Sequence, residues 1–132
     1  MAFRFEFDPL NKILLARLEG RLTDELMAEF HEAAWKCAAA IDPQSAIVDF
    51  SSVTEFAVSG ESVRQLARQR TPLPNSTRMP RVIVAPQTHA FGLFRMFQIA
   101  GERTRPLLSV VRTMDEAFEA LGVESPHFEP LE

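Results

Sequence analysis

A single cysteine in 132 residues excludes an internal disulfide and fits a reducing compartment. Set among Ala34, Ala38 and Ile41, Cys37 has the surroundings of a buried structural thiol rather than of a nucleophile. No run of eighteen apolar residues occurs, so no membrane span is expected. The opening Met-Ala-Phe-Arg-Phe-Glu-Phe lacks the continuous apolar core of a secretion signal, and a cytoplasmic location is the expectation. Gly92 and Gly101 stand alone, so there is no glycine-rich loop to cradle a phosphate. His31, His89 and His127 do not have metal-ligand spacing. Ser51, Ser52 and Thr54 have no nearby base to activate a hydroxyl, and only Asp49 and Glu55 are titratable beside them. These absences argue against an enzyme, and no cofactor or metal is expected.

What is present is an ordinary globular composition, 46% hydrophobic and 24% charged, in a chain of single-domain length. The net charge of −4 is unevenly spread: residues 1–58 sum to −5, 59–113 to +7 and 114–132 to −6. From Ser62 to Ala85 there are five arginines (64, 68, 70, 78 and 81) and no acid. Such a segment can meet phosphate or an acidic partner, although a solvated face balanced by the acidic segments is the simpler expectation. A pI near 5.4 with no aromatics between these arginines argues against nucleic-acid binding.

Along the chain, Phe3, Phe5 and Phe7 alternate with Arg4 and Glu6 as in a half-buried strand. Turn residues Asp8 to Asn11 lead to a second strand from Ile13, ended by Gly20, so the two predict an antiparallel hairpin. Thr23 is an N-cap for a helix whose stripe runs Leu26, Phe30, Ala33, Cys37 and Ile41. Asp42-Pro43 stops it. Ala46 to Phe50 is a short buried strand, followed by a hydroxyl-rich loop and a helix capped by Ser59. A loop is expected over 71–76, then a strand over Arg81–Ala85. The third helix, about His89 to Ala100, carries an apolar arc of roughly 200°, wider than one sheet face needs. Its Phe91, Phe94, Arg95 and Phe97 are therefore candidates for a partner or second-copy interface. Leu107–Val111 is a fifth strand, and Thr113-Met114-Asp115-Glu116 is a capping box for the last helix. Residues 1–122 form the domain, and 123–132 read as an acidic, loosely docked tail. The order ββαβαβαβα predicts an α/β fold: a mostly parallel five-stranded sheet with an initial antiparallel hairpin and four helices.

This order, with Asp49-Phe50-Ser51-Ser52-Val53-Thr54-Glu55-Phe56-Ala57-Val58-Ser59-Gly60 after the third strand, resembles the STAS domain of bacterial anti-sigma factor antagonists. Their pattern at this place is Asp-apolar-Ser-x-Val-Thr-x-x-Asp-Ser-Ser-Gly. Asp49, Ser51, Val53, Thr54, Ser59 and Gly60 match it. The resemblance implies a regulatory or partner-binding surface at Asp49, Ser51, Thr54, Val58, Ser59 and Gly60, and a protein partner such as an anti-sigma factor-like kinase. In that family the first serine of Asp-Ser-Ser-Gly is phosphorylated, with the preceding Asp part of the switch. Here Val58 and Ala57 stand in those places, so the phosphoswitch is not implied. The Val-Ile-Val-Ala-Pro-Gln and Gly-Leu-Phe-Arg-Met-Phe-Gln segments also resemble a subgroup of small stand-alone STAS-like proteins. Two functions follow as expectations: a non-enzymatic interaction module, or a protein binding an apolar or anionic small molecule between the 49–60 stretch and the Phe-rich helix.

Overall fold

The computed structural model describes residues 2–67, 79–102 and 106–131. Its elements run β1 (Phe3–Asp8), β2 (Ile13–Thr23), α1 (Asp24–Ile41), β3 (Ser45–Ala57), α2 (Gly60–Ala67), β4 (Arg81–Val84), α3 (Thr88–Ala100), β5 (Leu108–Val111), α4 (Met114–Leu121) and β6 (Glu129–Pro130). The strands make one sheet in the order β5-β4-β3-β2-β1-β6. β2 to β5 are parallel, and β1 is antiparallel to both β2 and β6. The sheet therefore has six strands, where the sequence predicts five. The sixth comes from the acidic segment: the Leu131 N–H donates to the Phe5 carbonyl (2.9 Å) and Phe128 stacks on Phe118 at 6.4 Å. The expected loop over 71–76, and Arg68, Arg70 and Arg78, lie outside the described residues.

Local chemistry sets the element ends. The Asp8 carboxylate accepts from the Leu10 and Asn11 N–H groups and from the Asn11 side chain, closing the hairpin turn. The left-handed position there falls to Lys12 (φ 56°) rather than to Asn11. Thr23 Oγ1 accepts from the Leu26 N–H (3.1 Å) to start α1, and Asp42 (φ 53°) ends it. Thr113 Oγ1 accepts from the Glu116 N–H, as the capping box predicts, but the Glu116 carboxylate accepts from the Arg112 N–H, one residue before the cap, rather than from the Thr113 N–H. Gly122, at φ 69°, closes α4.

The two sheet faces bury different helices. Ala16, Leu18, Leu22, Phe50, Ile83 and Val110 pack with Met27 and Phe30 of α1 and Ala90 and Phe94 of α3. Phe3 and Phe5 of the hairpin meet the Phe30 ring at 5.6 and 6.0 Å. On the other face, Ile13, Leu15, Ile47, Val82 and Val84 close on Ala117 of α4. Burial on both sides explains the continuous apolar runs Ile13–Ala16, Ala46–Val48 and Val82–Val84 in β2, β3 and β4.

β2 and β3 are longer than their sequences suggest. β3 does not end at Phe50, nor β2 at Gly20; the two stay paired until Thr23 and Ala57. The register shifts between Arg17 and Glu19 and between Gly20 and Arg21, and at each shift β3 carries one extra residue. These two irregularities turn period 2 into period 3, so that Phe50, Val53 and Phe56 all pack toward the same core. The intervening Ser51, Ser52, Thr54 and Glu55 are exposed. Gly20, at φ 81°, takes a left-handed backbone conformation beside the second irregularity.

Candidate functional site

The start of α2 is an exposed corner built by the far end of this extension. Ser59 Oγ accepts from the Ser62 N–H at 3.0 Å, the expected N-cap. The Ser59 N–H also donates to Asp24 Oδ1 (3.0 Å), and its hydroxyl donates to Asp24 Oδ2 (3.3 Å). Asp24 is the first residue of α1, so one carboxylate sits beside the positive ends of two helices and ties them together. From sequence Asp24 is only an acid favoured by its own helix dipole; nothing local signals a partner 35 residues away.

At this corner Ser59 is exposed and Val58 half-buried against the core, while Thr54 is exposed within β3, three residues before its end. A Cβ at Gly60 would lie 3.5 Å from the Met96 Cε, ordinary contact, so packing there does not demand glycine. Glu61 pairs with Arg64 at 3.2 Å, and the Arg64 guanidinium reaches 3.7 Å from Met96 Sδ of α3. The corner is thus hydroxyl-bearing and mixed in charge. A phosphate on Ser59 would add about −1.5 to −2 charges against the Asp24 carboxylate and disrupt the cap.

Asp49 and Ser51 stand elsewhere. Asp49 is buried and accepts from the Ser51 N–H (2.9 Å) and hydroxyl. Its other oxygen meets Arg17 at 3.3 Å, and Arg17 pairs in turn with Glu6 at 2.9 Å. Register explains the chain of charges, because Arg17 lies directly beside Asp49 on the neighbouring strand. Eight residues separate Asp49 from Ala57, roughly 25 Å of extended chain. The stretch that matches the family pattern therefore divides into a mid-sheet polar clamp, Asp49–Ser51, and a helix-start corner, Val58–Gly60.

Gln87, before α3, joins the bulged part of β3 to that helix: its Nε2 donates to the carbonyls of Phe50 (3.3 Å) and Val53 (3.0 Å). Of the four α3 residues picked out as an interface, Phe94 is buried, its ring stacked 4.4 Å from Phe50. Phe97 is half-buried against the same core, and Phe91 is half-buried beneath the Arg112 guanidinium at 4.3 Å. Arg95 is exposed and bonds Gln98 at 2.8 Å. The wide apolar arc is thus covered partly from within the chain, by α2, β5 and Arg112, while Ile99 at its end stays 65% exposed.

Arg81 corrects the expectation of a solvated arginine face. It is only 5% exposed, beside Ala46 on the α1 and α3 side of the sheet. Cys37 is half-buried, and burial pushes its thiol up, away from the nucleophilic thiolate. Among the described residues no three His, Cys, Asp or Glu side chains converge as metal ligands, and no helix is long and apolar enough to cross a membrane.

No family model matches this chain, and no curated protein matches it. Solved structures do, among them two forms of SpoIIAA. The anti-sigma factor antagonist SpoIIAA in its unphosphorylated form superposes with a TM-score of 0.62 at 17% identity, over 94% of this chain and 100% of that one. The Bacillus cell fate determinant SpoIIAA in its phosphorylated form gives 0.54 at 21% identity, over 91% and 99%. The chain thus has the α/β fold of SpoIIAA, a STAS-like fold.

Proposed function

We propose that this chain is a non-enzymatic regulatory module that binds a protein partner across the corner at the start of α2, without the phosphoswitch of the antagonists it resembles. The observation that carries this is the corner itself: an exposed, Asp24-braced Ser59 cap at the end of a strand extension, with Val58 where the phosphoacceptor hydroxyl would stand. Thr54, Val58, Ser59 and Gly60 supply the contact surface, and the Asp49–Ser51 clamp holds the strand that presents it. The exposed end of α3, with Arg95 and Ile99, extends that surface toward a partner or a second copy of the chain. An anti-sigma factor-like kinase or a related regulator in the cytoplasm is the partner class that the SpoIIAA likeness favours.

Affinity capture from the native cell tests this with three baits: the unaltered chain, Thr54→Arg beside the corner, and Glu119→Arg on the opposite face. Both substituted side chains are exposed, so the fold is kept. The proposal expects one stoichiometric partner, retained by Glu119→Arg and lost with Thr54→Arg. Equal capture by all three baits, or no stoichiometric partner, would overturn it.

A further inference from the structure

The outer face of α3 holds a glycine that the fold does not use. Gly92 stands in the middle of the helix and is exposed, and a Cβ built there meets no atom of the described residues within 4 Å. Its backbone is not left-handed, so alanine would fit the conformation. Inside a helix glycine is the poorer choice, because it loses more backbone freedom on folding. Neither turn geometry nor internal packing accounts for it. What a bare backbone does permit is close approach from outside.

Residues 92, 95, 96 and 99 share one side of the helix. Ile99 is 65% exposed. Arg95 is exposed too, and its guanidinium donates to the neutral Gln98 Oε1 at 2.8 Å but pairs with no carboxylate among the described residues. Further N–H donors remain on a fork that matches a carboxylate. Met96 Sδ lies 3.7 Å from Arg64 Nη1 of α2, so this stripe is continuous with the α2 corner.

We propose that this face receives a helix of the partner protein, with its backbone close over Gly92, a carboxylate on Arg95 and an apolar side chain against Ile99. Such docking presupposes the partner-binding reading above and adds the chemistry of the partner, an acidic amphipathic helix. A second copy does not meet these terms through the same face. In an α3–α3 pair no register puts an acid opposite Arg95, because the helix has none.

The test is photo-crosslinking in the native cell from position 100, in place of exposed Ala100 beside Ile99, and separately from position 61 at the corner. Each adduct is sequenced by mass spectrometry. The same partner is expected from both positions, and from position 100 a partner peptide of net negative charge. Arg95→Glu should lower the yield from position 100 by about tenfold or more, since it sets like charges against each other, and Arg95→Lys should lower it less. Gly92→Ala is the sharper variant. It should raise the urea midpoint of the isolated chain and yet lower the yield from position 100 several-fold. An adduct from position 61 with none from position 100 would overturn the proposed docking and leave the corner reading intact. So would a basic peptide or a second copy of this chain in the adduct from position 100. A lowered midpoint or an undiminished yield in Gly92→Ala would also overturn it. No adduct from either position would overturn both.

Discussion

Single side chains here do tasks that sequence position alone does not suggest. Ser59 is at once the cap of α2 and a ligand of Asp24, so Ser59→Ala should cost more than a surface change. Loss of the cap is worth ~0.5–2 kcal/mol, and equilibrium urea unfolding should show a drop within or just above that range. The Asp24 carboxylate already engages that hydroxyl, so the proposed role expects no phosphate on it. Intact-mass analysis of protein from the native cell should show no species about 80 Da heavier that disappears in Ser59→Ala. Asp8 carries a pH dependence. Burial acts to raise its carboxyl, but hydrogen bonds from the Asn11 side chain and the Asn11, Leu10 and His127 backbone outweigh burial and hold it below the ordinary value. A depressed carboxylate contributes stability that is complete above its unfolded value, about 3.9, and lost as pH falls through the lower folded value. Unfolding titrations of Asp8→Asn should therefore be flatter than those of the unaltered chain below about pH 4. Identical slopes would contradict the role given to the turn.

At the scale of elements, most of the architecture was legible and the misses share a cause. Helix ends were readable because caps are local: Thr23, Ser59, Thr113 and Gly122 all do what their chemistry predicts. The length of β3 was not, because two register shifts change its period from 2 to 3 and hide Phe50, Val53 and Phe56 among hydroxyls. Only pairing with β2, a tertiary event, makes that stretch a strand. β6 is two residues and includes a proline, too short to show any period. Division of the candidate site follows from the same extension, which carries Val58–Gly60 well away from Asp49. Gly20→Val would meet no steric neighbour but must adopt φ 81°, a backbone conformation costing a β-branched residue of order 1–3 kcal/mol. Amide exchange should accelerate selectively over residues 19–23 and 52–57, while the β4–β5 amides stay protected. Uniform acceleration would mean that the extension is not a separable unit.

For the whole molecule, the sheet holds two surfaces apart. Its three-helix side ends in the α2 corner, while its other side carries α4 and the Glu6–Arg17–Asp49 chain of charges. The proposed role has the domain present the α2 corner on a stiff sheet, with specificity set by the side chains that stand there. The most direct test places a photo-crosslinking residue at exposed Glu61, on the corner, and at exposed Glu119, on α4, in the native cell. The proposal predicts one discrete heavier adduct from position 61, identified by mass spectrometry as a single regulatory protein, and none from position 119. No discrete adduct from position 61, or the same adduct from both positions, would contradict it.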